Sequence, residues 1–194
     1  IMQGMGTLVG LIVVPLVLLR VFSMTPVKLF ATDFGWQPSF IILLVVIVFM
    51  GFNSFIVEWN QGIQLPESLA GIEKMLRGLE DQLGELTKYL TVFDSTVQLV
   101  LAVVVIAILP AVGEELVFRG IIQREFFRGT GNIHLSIWIS AAIFSAIHLQ
   151  FYGFVPRLLL GALFGYVYYW SGNLWMPILA HFVNNGFTVI AMYL

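Results

Sequence analysis

Glu114, Glu115 and Arg119 fall within six residues of one another, directly after Leu99 to Leu109, a run with no polar side chain. Charged groups at membrane depth are costly and rare, so each marks a functional site by default. On a helix Glu115 and Arg119 stand four apart with the acid on the N-terminal side, the favourable order for an ion pair. Glu114 points about 100° away and gains no local partner from that pair. The spacing thus predicts one structural carboxylate and one left free for chemistry.

The chain has three histidines: His134, His148 and His181. His134 follows the turn signal Gly129-Thr-Gly-Asn132 and reads as an interfacial residue. Counted from a turn centred near residue 131, Glu114 lies 17 residues before it and His148 17 after it. Two antiparallel helices rising about 1.5 Å per residue bring those positions to the same depth. Taken alone, His148 reads as a buried structural histidine. His181 and Asn185 are four apart and share one face of the last apolar stretch, a spacing that also suits interhelical hydrogen-bonding glue. A free acid, two imidazoles and an amide together make a set that can activate water and hold an oxyanion.

The elements that must position these groups read as membrane helices. Residues 1–19 are uncharged and end at Arg20, residues 34–57 are uncharged and end at Glu58, and both look like scaffold. A third span starts near Thr96 and continues past Pro110 to Phe127, the freed carbonyl being left for a neighbour to satisfy. Further spans are expected over 133–149, 155–170 and 177–194. Residues 161–165 (Gly161-Ala-Leu-Phe-Gly165) offer a small-residue face for close helix contact. Residues 66–90 differ. Leu69, Ile72, Leu76, Leu79, Leu83, Leu86 and Leu90 recur at spacings of 3 and 4 among charged residues, an amphipathic stripe. It suits a helix lying in the interface, with a helix-mediated partner as the second reading. The expected fold is an all-α polytopic membrane bundle of about six spans plus one interfacial helix. Residues 1–91 form its N-terminal part and 92–194 its core.

Composition bounds the rest. The chain has 194 residues, 59% hydrophobic and 10% charged, against about 25% charged in ordinary globular chains; its mean hydropathy is +0.96. The absence of cysteine excludes disulfides and thiolate metal sites. A net charge of −2 without a basic run gives no sign of a nucleic-acid partner. No signal-peptide pattern marks Ile1 to Leu19, and residues upstream of Ile1 are expected. Arg20, Lys28, Arg119, Arg124 and Arg128 fall on one side of the expected topology, and Lys74, Arg77, Lys88 and Arg157 on the other. This leans the first set towards the cytoplasm.

Three motifs carry a family resemblance: Glu114-Glu-Leu-Val-Phe-Arg119, Phe144-Ser-Ala-Ile-His148 and His181-Phe-Val-Asn-Asn185. In this order, each in an apolar stretch, they resemble the Glu-Glu-x-x-x-Arg, Phe-x-x-x-His and His-x-x-x-Asn motifs of a known group. That group is the CAAX-protease and bacteriocin-processing (CPBP) intramembrane endopeptidases. The resemblance covers roughly residues 92–194 and implies peptide-bond hydrolysis within the membrane. It implies Glu114 as the base that activates water, assisted by His148, with His181 and Asn185 holding the carbonyl oxygen. Glu115 and Arg119 would brace the site. The group has been described both as metalloproteases and as glutamate-dependent proteases. No cofactor is favoured here; a zinc ion would draw on Glu114, His148 and His181. The implied partners are the lipid bilayer and a membrane-associated peptide or protein substrate, and the implied location is a bacterial cytoplasmic membrane. Readings of another class are a non-catalytic scaffold, a bacteriocin-immunity protein, or a small transporter in which the polar set relays protons.

Overall fold

The computed structural model describes residues 10, 13–21, 29–30, 35–90 and 95–193. Among these the chain is an all-α membrane helix bundle with no strand. Its helices are α1 (Val14–Val21), α2 (Trp36–Gln61), α3 (Ala70–Leu90), α4 (Thr96–Thr130), α5 (Ile133–Ala146), α6 (Phe154–Ser171) and α7 (Trp175–Tyr193). Among the described residues three helices are long and apolar enough to cross a membrane: α2, α4, and α6 with its leading turn from Phe151. α5 has 14 residues, about 21 Å at 1.5 Å per residue, short of a hydrocarbon core of about 30 Å. α7 is long enough, but His181, Asn184 and Asn185 interrupt its apolar run. Most of the span expected over 1–19 lies outside the described residues.

Local sequence accounts for the helix ends. Ser95 caps α4 by accepting the Gln98 N–H at 3.3 Å, and Gly131 ends it in the left-handed conformation at φ 65°. Asn132 then caps α5 through the Leu135 N–H at 3.1 Å. α5 stops at Ala146 rather than near Leu149, because the chain turns there and Leu149 takes a φ of 55°. His148 therefore sits in the turn after the helix, not on it.

α4 continues through Pro110 because its backbone widens. Val103–Ile108 and Leu116–Ile122 are π-helical, with N–H bonds to the fifth residue back, Leu109 to Val104 and Gln123 to Phe118. A wider turn before proline eases the ring away from the carbonyl four residues earlier, and such bulges recur at functional sites.

α6 packs at the centre of the bundle. A Cβ on Gly161 would come within 3.1 Å of the Phe144 ring and 3.2 Å of Ala141, and one on Gly165 within 2.8 Å of Ile137. These glycines let α5 approach at backbone distance. On the other side of α6, Ile42 and Val46 of α2 share a core with Leu160, Phe164, Val167, Met176 and Ala180. The opposite face of α2, with Phe40, Ile41, Leu44, Val48 and Phe55, is exposed, as a lipid-facing helix requires.

α3 is fastened to the bundle by its charged side. Glu73 accepts from the Leu65 N–H at 2.8 Å and from Arg77 Nε at 2.9 Å. Arg77 donates to the Ile63 carbonyl and lies 4.2 Å over the Tyr152 ring. Glu80 accepts the Tyr152 N–H at 2.9 Å. Ile72, Met75, Leu79 and Leu86 remain exposed, which suits the interfacial position that the heptad stripe predicts.

The Leu65 N–H, and after it Arg77, hold the Glu73 carboxyl below its ordinary value of 4.5. A depressed carboxylate contributes stability above its unfolded pKa and loses it as pH falls through the folded one. Amide exchange over residues 63–80, corrected for its intrinsic pH dependence, is therefore expected to accelerate as the pH is lowered from about 5 to about 3. Glu73→Gln should remove this pH response, and protection that stays constant on acidification in the parent would refute it.

Candidate functional site

The site is built outward from Glu115, which is 0% exposed, as is Arg119. One oxygen, Oε1, accepts from Arg119 Nη1 at 2.8 Å and from His181 Nδ1 at 2.9 Å. The second arm of the guanidinium, Nη2, donates to the Gly161 carbonyl at 2.5 Å. Four residues on, Gln123 Nε2 donates to the Gly165 carbonyl at 3.2 Å. The two glycines thus let α5 close in and expose two carbonyl oxygens to buried donors of α4. Burying two charges costs several kcal/mol per ion unless pairing and hydrogen bonds compensate. Here the pair is helped by the Phe144 and Phe164 rings, whose centroids lie 5.2 and 5.4 Å from the guanidinium carbon.

His181 links the two glutamates. A carboxylate can only accept, so the Nδ1–His181 contact places a proton on Nδ1 and directs Nε2 the other way. Nε2 stands 3.8 Å from Glu114 Oε2. The imidazole is held flat by Phe164, stacked at 4.9 Å with an interplanar angle of 23°, and edge-on by Phe144. Among the described residues Glu114 makes no hydrogen bond, although only 13% of its side chain is exposed. The adjacent acids therefore occupy different environments, one bonded through Oε1 to Arg119 and His181 and one with no such bond.

Asn185 sits one turn beyond His181. Its Nδ2 donates to the Ile106 carbonyl at 3.2 Å, and its Oδ1 accepts from Asn184 at 3.1 Å. Ile106 lies four residues before Pro110, which has no N–H to offer it. The amide of α7 thus supplies the donor that the proline of α4 lacks.

His148 comes to the same region by a different route. Its Nδ1 bonds the Phe144 carbonyl at 2.7 Å, and its ring meets that of Phe144 at 5.1 Å. No hydrogen bond joins it to Glu114; Phe144, itself buried, is the contact it shares with His181 and Arg119. His134 is exposed on the opposite end of α5, against the Tyr166 hydroxyl at 3.0 Å. Sequence reasoning missed the Glu115–His181 bond and the aromatic walls. Phe144 opens the Phe-x-x-x-His motif and carried a signal; Phe164 sits inside the glycine stripe as one apolar residue among many and carried none.

Among the described residues no three His, Asp or Glu side chains converge as a metal site requires. His181 and His148 each engage Nδ1 with a neighbouring oxygen and leave Nε2 open.

An all-helical membrane bundle that encloses two glutamates, an arginine and a histidine belongs to the class organised around an intramembrane polar site. Residues 96–187 match the family model described as type II CAAX prenyl endopeptidase Rce1-like. That segment contains Glu114, Glu115, Arg119, His148, His181 and Asn185, so the resemblance carried by the three motifs holds. Among curated proteins, "Uncharacterized protein YpbD" of Bacillus subtilis (strain 168) is 31% identical over 85 residues, which is 42% of this chain and 40% of that protein. "Putative membrane peptidase YdiL" of the same organism is 27% identical over 188 residues, covering 97% of this chain and 71% of that protein. "Membrane-embedded CAAX protease MroQ" of Staphylococcus aureus (strain USA300) is 36% identical over 83 residues, 40% of this chain and 33% of that protein. The chain thus matches less than half the length of YpbD and MroQ and about two thirds of YdiL. No solved structure matches it.

Glu115→Gln leaves Arg119 as an uncompensated buried cation and is expected to cost on the order of 3–5 kcal/mol, read by thermal unfolding in detergent. The Asn185–Ile106 bond has its own signature in a double-mutant cycle. Asn185→Ala should cost about 1–2 kcal/mol with Pro110 present. In a Pro110→Ala chain, whose new N–H can reach Ile106, the same change should cost less than half as much; equal costs in both chains would refute the pairing.

Proposed function

We propose that the protein is an intramembrane endopeptidase that hydrolyses peptide bonds of membrane-associated proteins or peptides, with water activated by Glu114. The observation that carries this reading is the asymmetry of the two acids. Glu115 is bonded through Oε1 to Arg119 and His181, whereas Glu114 is nearly enclosed, without a hydrogen bond among the described residues, and faced by an imidazole nitrogen. The family match over 96–187 and the printed descriptions of YdiL and MroQ support it.

The chemistry uses this chain's own groups. Glu114 takes one proton from a water molecule as its oxygen bonds to the carbonyl carbon. His148, whose Nδ1 donates to the Phe144 carbonyl, has Nε2 free to accept the water's other O–H. Opening of the carbonyl double bond places negative charge on its oxygen. Carrying a proton on each ring nitrogen, His181 donates through Nδ1 to Glu115 and offers Nε2–H to that oxygen. The second hydrogen of Asn185 Nδ2 is open to the same oxygen. Collapse breaks the C–N bond, and the proton held by Glu114 passes to the leaving amine.

The reading places the protein as a multi-pass component of a bacterial cytoplasmic membrane, with 92–194 as catalytic core and 1–91 as the part packed against it. Purified protein in detergent is expected to cleave a suitable membrane-peptide substrate. Glu114→Gln should reduce kcat by at least a thousandfold, on the scale of losing a general base, while leaving thermal stability near that of the parent. Comparing membrane-fraction proteomes carrying the parent or the Glu114→Gln copy would identify substrates. Full cleavage by Glu114→Gln would overturn the mechanism.

A further inference from the structure

Arg157 lies in the first turn of α6, just after the turn that carries His148, and the chemistry above gives it no task. Its Nη2 donates to Gln150 Oε1 at 2.6 Å, while Nη1 is buried and has no hydrogen-bond partner. The guanidinium is held from two sides. Gln150 is itself held by Glu80 of α3, to which its Nε2 donates at 3.3 Å. Gly153 supplies the other wall: a Cβ there would stand 2.8 Å from Arg157 Nη2 and 3.0 Å from Nη1. Gln150, its partner, follows His148 by two residues, so the guanidinium is tied to the turn that borders the candidate site. A buried donor left without an acceptor is destabilising, and a charged one more so. An arrangement that fixes a guanidinium and leaves one arm open is complete only when an acceptor arrives.

We propose that Arg157 Nη1 is a substrate-binding donor that takes a backbone carbonyl oxygen of the bound peptide and so sets where the chain lies across the site. The inference rests on the peptidase reading. A neutral carbonyl is the fitting acceptor because the Glu80 carboxylate already stands beside the guanidinium through Gln150; a terminal carboxylate would add a second negative charge there. Glu80 and Gln150 act through Arg157 as positioning residues, and by this route α3 bears on substrate binding.

The test uses the full chain in liposomes and one quenched-fluorescence membrane peptide, prepared with a free C-terminal carboxylate and as its carboxamide. Arg157→Gln is expected to raise KM about tenfold or more with kcat within about threefold, because ground-state and transition-state binding fall together. The loss should be equal for both peptide forms; a loss confined to the carboxylate form would overturn the carbonyl assignment. Gly153→Ala keeps Arg157 but displaces its guanidinium, and should raise KM in the same direction, which covers the case in which Arg157→Gln does not fold. Binding of the carboxamide peptide to Glu114→Gln protein, by fluorescence polarisation, should weaken to the same extent when Arg157→Gln or Gly153→Ala is added. That arm stands apart from turnover: binding without cleavage in the parent defeats the peptidase reading alone, whereas unchanged affinity and KM in both Arg157→Gln and Gly153→Ala defeat the present inference alone.

Discussion

The fold of the C-terminal half depends on keeping Arg119 charged at 0% exposure inside an apolar bundle. A guanidinium cannot shed its proton to escape burial, so the surroundings must answer it. Glu115 supplies the countercharge from the same helix, Gly161 a carbonyl from α6, and Phe144 and Phe164 the two aromatic faces. Each comes from a fixed register, and a shift of one residue in α4, α5 or α6 would strand the charge. The ion pair therefore acts as a registry device as much as a stabilising contact.

The remaining capacity of Glu115 Oε1 goes to His181, which transmits that registry to α7. Glu115, buried from solvent, orients the imidazole from behind, and the imidazole then faces Glu114. A carboxylate that orients a histidine is a recurrent way to hold a ring in one tautomer and one plane. The π-helical turns serve the same end. They carry Pro110 through α4 and leave the Ile106 carbonyl facing α7, where Asn185 meets it. The irregular backbone and the polar residue answer each other, which is how non-ideal helices persist where lipid offers no hydrogen bonds.

Around this centre the N-terminal part adds two different supports. α2 completes the core against α6 and α7 through Ile42 and Val46, and Asn60 accepts the Val155 N–H at the start of α6. α3 reaches the turn between α5 and α6 through Glu80 and Arg77 and leaves its apolar side exposed. The amphipathic α3 is thereby mechanically continuous with the segment that carries His148.

Much of this was legible in the residues. Helical class, the amphipathic stretch, the Glu115–Arg119 pair and the separation of the two acids follow from spacing, because an α-helix fixes which neighbours four apart can meet. Pro110 announced an orphaned carbonyl, and Asn185 was visible as an amide in an apolar run. What spacing cannot give is facing between helices far apart in the chain. The depth count matched His148 to Glu114, yet α5 ends at Ala146 and the left-handed Leu149 turns the chain, so His148 meets Phe144. The bond from Glu115 to His181 joins residues 66 apart, and Arg119 meets Gly161 across 42. The local sequence determined which groups are charged, paired or free. Only the tertiary packing, by setting the rotation of α4, α6 and α7 about their axes, decided which of them converge.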